Sequence, residues 1–134
     1  MPEQIDLFST PKMSATFSPE AHVQGMLTFE AALARAESQV GILPPETATR
    51  IANQCKVELF DVAALYREAV VAGTPTIPLV RMLMALVDGD AQKFVHWGAT
   101  SQDAMDTALM LQVRDGLDLL LNDLHKIGAA CAAL

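Results

Sequence analysis

The last third of the chain does most to limit what it can fold into. Met110, Val113, Leu117, Leu120, Leu124, Ile127 and Cys131 recur at intervals of three and four up to the end of the sequence. Only a helix places such a heptad series on one seam. Leu109, Leu111, Leu119 and Leu121 add apolar surface outside the seam, so the helix needs cover on more than one side. Begun at Ser101, it reaches on the order of 50 Å at about 1.5 Å per residue. No other helix expected in this chain could cover that length, so its partners are expected from elsewhere. The sequence also stops at Ala132-Ala133-Leu134 with no glycine, cap or polar tail, which reads as a cut. The expectation is the front part of a longer protein.

Composition agrees with helices packed on helices. Apolar residues make up 51% of the 134 and aromatic residues only 5%, which is enough for a core and rules out general disorder. An all-α fold is expected. A formal net charge of −7 excludes nucleic acid and an anionic membrane surface as partners, since both would be repelled over most of the molecule. A small anionic substrate stays possible if one locally positive site exists. The amino terminus has no basic segment followed by an apolar one, and no apolar run nears the roughly 18 residues that span a bilayer. Cys55 and Cys131 lack metal-ligand spacing, fall in expected helices and read as buried free thiols, which suits the cytoplasm.

Taken in order, residues 1 to 17 have no period and are expected to form an extended arm. Ser18-Pro19-Glu20 reads as a helix start, with a capping hydroxyl, a first-turn proline and an acid suited to the dipole. Met26, Phe29, Leu33, Ala36 and Val40 then form the expected inward stripe, and Gly41 ends the helix. Pro44-Pro45-Glu46 opens a shorter helix with Ala48, Ile51, Ala52 and Cys55 on one side. A third helix is expected from Val57 to Ala72, with Leu59, Val62, Leu65, Tyr66 and Ala69 inward and Gly73 as its stop. Thr74-Pro75-Thr76-Ile77-Pro78 is expected to be a loop, because proline restricts the residue before it and offers no N–H. That loop is either a plain connector or a second polar edge of a cleft, and Thr76 is placed to cap a helix over Leu79 to Val87. Asp88-Gly89-Asp90 is a turn.

The chemistry is concentrated between residues 94 and 117, FVHWGATSQDAMDTALMLQVRDGL. Thr100 and Ser101 bring two hydroxyls to a helix start, where orphan N–H groups and the positive end of the helix dipole favour an anion. His96 stands four residues earlier, across a loop kept short by Gly98, and can add a hydrogen bond or a positive charge. An ordinary capped helix beside a surface histidine is the structural alternative.

The string His96-Trp97-Gly98-Ala99-Thr100-Ser101-Gln102-Asp103, with Asp106-Thr107 after it, resembles a region of the fumarase/aspartase superfamily. Trp97 and Gln102 are closer to the 3-carboxy-cis,cis-muconate cycloisomerase branch. Met26-Leu27 through Ala36, then Gly41-Ile42-Leu43-Pro44, and Ile77-Pro78-Leu79-Val80 resemble two further stretches of that branch in the same order. The adenylosuccinate lyase branch carries an arginine-tyrosine pair and a histidine-aspartate pair where this chain has Leu7-Phe8 and Ile77-Pro78, so it is the weaker match.

The resemblance implies an all-helical subunit in which residues 1–98 form an N-terminal helical domain and residues 99–134 open a central helical bundle. It further implies a homotetramer with active sites assembled from several subunits and using no metal or organic cofactor. The implied reaction interconverts 3-carboxy-cis,cis-muconate, a tricarboxylate, and 4-carboxymuconolactone in the protocatechuate branch of aromatic degradation. By resemblance, Thr100 and Ser101 hold a substrate carboxylate, His96 is a neighbouring catalytic donor or charge partner, and Gln102 is a further donor. Asp103 and Asp106 are assigned to orienting the loop and helix. The superfamily's serine-rich loop with its general base would lie beyond Leu134, so the chain is expected to be inactive alone. The competing functions are another fumarate-releasing lyase, such as adenylosuccinate lyase, and a non-catalytic oligomerisation module.

Overall fold

A computed structural model describes residues 8–134. Six α-helices follow one another: α1 (Pro11–Thr16), α2 (Pro19–Gln39), α3 (Pro45–Gln54), α4 (Val62–Ala72), α5 (Thr76–Leu86) and α6 (Ser101–Ala132). Two 3₁₀ turns, Val57–Leu59 and Gly89–Phe94, complete the described structure, which contains no strand. The all-α expectation therefore holds.

The helix ends follow from local chemistry. Ser18 Oγ accepts from the Ala21 N–H at 3.1 Å with Pro19 in the first turn, as read from the sequence. At the other end of α2, Gly41 is left-handed at φ 82, its N–H donates to the Ser38 carbonyl, and the Ile42 N–H donates to the Glu37 carbonyl. This pair of bonds is a Schellman stop. Gly73, at φ 77, closes α4 by donating to the Ala69 carbonyl at 2.8 Å.

Several expectations need correction. Part of the supposed extended arm is helical: Thr10 Oγ1 accepts from the Met13 N–H and Pro11 opens α1. Residues 1–7 of that arm lie outside the described residues. The third helix is not continuous from Val57, because Asp61 takes the cap position and binds the Ala64 N–H at 2.8 Å, so α4 starts at Val62. Helix α5 begins at Thr76 and includes Pro78, whose missing N–H is harmless in a first turn. Thr76 does not cap it. Its buried hydroxyl donates instead to the Ser101 carbonyl at 3.2 Å. Cys55 is buried, whereas Cys131 is exposed.

Helix α2 is central, packing on α6 at one side and on α3 at the other. Its buried face is Val23, Met26, Leu27, Glu30, Ala31, Ala34 and Glu37, with Gly25 at the α6 contact. The stripe expected through Leu33, Ala36 and Val40 is displaced, and Val40 is 73% exposed. Small residues set this face because the two helices lie close. A Cβ added at Gly25 would stand 2.8 Å from Ala108 Cβ and 2.9 Å from Ala108 Cα. Gly25→Ala is therefore expected to destabilise the protein by about 1–3 kcal/mol despite alanine's better helix propensity, read as a lower urea midpoint.

Three polar ties fix the packing. Gln24 spans from α2 to the end of α3, donating to the Cys55 carbonyl at 3.3 Å and accepting from the Val57 N–H at 2.9 Å. Gln112, buried in α6, donates to the Thr16 carbonyl at 2.9 Å, and His22 Nδ1 lies 2.8 Å from the Tyr66 hydroxyl. Helix α6 buries only Ala104, Ala108, Gln112 and Gly116. The seam is turned outward: Met110, Leu117, Leu120, Leu124 and Ile127 are each at least half exposed. No helix of the described residues is long and apolar enough to cross a membrane.

Candidate active site

The start of α6 is built by a reciprocal cap. Thr100 Oγ1 accepts from the Asp103 N–H at 3.3 Å and donates to Asp103 Oδ2 at 2.9 Å, and the Thr100 N–H donates to the same oxygen at 2.8 Å. These two bonds from Thr100, backbone first and hydroxyl second, hold the exposed Asp103 carboxyl below its ordinary value, and the charge of His96 adds to the effect. Asp103 thus organises the helix start, the part assigned to it from the sequence. The N–H groups of Ser101 and Gln102, in the first turn, have no carbonyl available within the helix.

The predicted site residues occupy different positions. Thr100 is exposed at the cap, and Ser101 is half-buried, its carbonyl receiving the Thr76 hydroxyl. Gln102 is exposed and its amide donates to Asp106 Oδ1 at 2.6 Å, along the outside of the helix. His96 lies in the loop before the helix, its side chain 15% exposed. Among the described residues it is the one non-glycine with positive φ, at 58°, followed two residues later by Gly98 at φ 69. Holding a side chain in that region costs on the order of 1 kcal/mol. The backbone turn directs the imidazole back toward α2.

There it meets a residue that the sequence reading passed over. Glu30 is 1% exposed, and its Oε1 lies 2.5 Å from His96 Nδ1. Its second oxygen, Oε2, is buried without a hydrogen-bond partner. Burial pushes the Glu30 carboxyl up, while the hydrogen bond and the charge of His96 pull it down. Glu37, one turn pair further along the same face, is also buried and is raised by burial and by Glu30. A carboxylate in a position otherwise filled by leucine or alanine was the available sequence signal. Hydrophobic periodicity discards it.

The arrangement combines a half-buried histidine fixed from behind by a carboxylate, a capped helix start and a neighbouring hydroxyl. Its outward face offers hydrogen-bond donors and the positive end of a long helix dipole, which suits a carboxylate ligand. Among the described residues, no three His, Cys, Asp or Glu side chains gather in a way that could hold a metal ion.

Known proteins resemble this chain over most of its length. The 3-carboxy-cis,cis-muconate cycloisomerase of Pseudomonas putida is 48% identical over 123 residues, covering 90% of this chain and 29% of that protein. The enzyme of the same name from Pseudomonas aeruginosa is 45% identical over 128 residues, covering 93% and 28%. The crystal structure of 3-carboxy-cis,cis-muconate lactonizing enzyme from Pseudomonas putida superimposes with a TM-score of 0.85 at 47% identity, over 87% of this chain and 27% of that one. The chain thus spans somewhat under a third of the length of these relatives. A family model described as lyase matches residues 8–133, and with these relatives it shows that the chain belongs to the lyase family of the fumarase/aspartase superfamily.

Proposed function

We propose that the protein carrying this chain is a cycloisomerase that interconverts 3-carboxy-cis,cis-muconate and 4-carboxymuconolactone, and that residues 94–102 form part of its substrate site. The observation that carries this reading is the juxtaposition of His96, braced by Glu30, with the open first turn of α6. In the lactone-forming direction, a substrate carboxylate oxygen bonds to a carbon of the conjugated double bond, and the adjacent carbon takes a proton. In the reverse direction that proton leaves next to a carboxylate, whose oxygens gain negative charge. Fixed N–H and O–H donors at those oxygens lower the barrier, because the charge they meet is larger in the transition state than in the substrate.

In this reading Ser101 and the first-turn N–H groups seat a substrate carboxylate, with Thr100 a further donor once its hydroxyl leaves Asp103, and His96 donates to it or balances its charge. Gln102 is a further donor once it leaves Asp106. Residues 99–134 open a central bundle domain, and residues 1–98 form the domain before it. The outward seam of α6 supports assembly with copies of the same protein, the tetramer implied by the family. The cytoplasm suits both free thiols.

The test is optical. With the full-length protein, absorbance of the conjugated substrate 3-carboxymuconate is expected to fall as the lactone forms. An unchanged absorbance, together with cleavage of adenylosuccinate by the same preparation, would assign it to the other branch.

A further inference from the structure

We propose that Glu30 is a positioning residue for His96: its carboxylate holds Nδ1–H and so fixes the ring's direction and supports the ring protonated at both nitrogens, in which Nε2–H donates to the substrate carboxylate. This rests on the functional reading above and extends it to a residue of α2, far in sequence from the helix start.

Three observations support it. Glu30 is fully buried in the α2 face, yet one of its oxygens has no partner. A buried carboxylate so incompletely satisfied is a poor way to stabilise a fold, since an apolar side chain of similar size usually does at least as well. The bond to His96 is short, at 2.5 Å, and a carboxylate can only accept, so Nδ1 carries the proton and Nε2 is left as the second ring atom. Finally, His96 is held at φ 58, a conformation that places the ring over Glu30 at a backbone cost. The groups around the Glu30 carboxyl are His96 from the loop, Cys55 from the end of α3 and Glu37 on its own helix. Neither of the other two replaces His96 as a partner in the observed bonds.

The experiment uses the full-length protein with three variants. Glu30→Leu keeps the shape and removes the acceptor. Glu30→Gln keeps an oxygen that can still accept from Nδ1–H. His96→Asn retains an amide N–H in the place of Nδ1 and tolerates positive φ, but has no atom corresponding to Nε2. Glu30→Leu is expected to leave the thermal midpoint unchanged or raised while lowering kcat/KM on 3-carboxymuconate about 10- to 100-fold. Glu30→Gln is expected to retain more of the activity than Glu30→Leu. In the His96→Asn background, Glu30→Leu is expected to cause no further loss, because Glu30 acts only through the imidazole.

Nitrogen-15 solid-state spectra of histidine-labelled protein, recorded where the ring is neutral, give a readout independent of turnover. His96, assigned by its absence in His96→Asn, should show a protonated Nδ1 and bare Nε2, and Glu30→Leu should shift the population toward Nε2–H. The proposal is overturned if Glu30→Leu loses stability along with activity, if its full effect persists beside His96→Asn, or if the tautomer is unchanged. Should the wild type fail to act on carboxymuconate, the functional reading falls while the nitrogen spectra still decide the role of Glu30.

Discussion

Replacing Leu117, Leu120, Leu124 and Ile127 together by glutamine is expected to dissociate the full-length protein into single subunits and abolish turnover. These four side chains are 52 to 60% exposed on this chain, so no buried contact of its own core is lost with them. Covering the exposed half of each by a neighbouring helix is worth about 1 kcal/mol, so the four together remove about 3–6 kcal/mol from each copy of the contact. Sedimentation velocity reads the first effect and the absorbance assay the second. An unchanged sedimentation coefficient would mean that the seam meets no other subunit.

The second large effect is expected at the helix start. Ser101→Ala should lower kcat/KM by about 1–3 kcal/mol, or roughly 10- to 100-fold, with the urea midpoint little changed. Ser101 is the cleaner probe because the capping bonds belong to its neighbour. Thr100→Ala removes the cap as well, so it should add a stability loss of about 1 kcal/mol to its effect on turnover. The double variant is then expected to lose on the order of 100- to 10,000-fold. Full activity in Ser101→Ala would reduce residues 100 and 101 to an ordinary cap and favour the oligomerisation-module reading.

What could be read from the sequence depended on how local its cause is. The stops at Gly41 and Gly73 and the start at Ser18-Pro19 were legible because the residues that set them are adjacent in the chain. Thr10-Pro11 carries the same start signal, but a helix of six residues is too short to show a period, so periodicity alone leaves it looking like an extended arm. In α2 the larger apolar residues suggested a face through Leu33 and Val40. The true face is set by Gly25, Ala31 and Ala34, which let α6 and α3 approach and which a count of hydrophobic residues undervalues. The outward seam of α6 was legible as a pattern, and its exposure among the described residues agrees with the expectation drawn from its length.

The site divided in the same way. His96, Thr100 and Ser101 lie within one short string, so the motif presents them together. Glu30 enters only through the fold: its partner is 66 residues away, and its charge argues against burial until the imidazole is placed beside it. Thr76 was misplaced for a related reason, since its hydroxyl serves the first turn of α6 and not the helix that it opens.

The crossing at Gly25 and Ala108 leaves little for natural variation to work with. Where main chains touch through one hydrogen on one side and one methyl on the other, every substitution at Gly25 adds bulk and none can remove it. Sequences descending from this one can therefore recolour the outer surfaces of both helices freely, while the angle at which they meet is inherited unchanged.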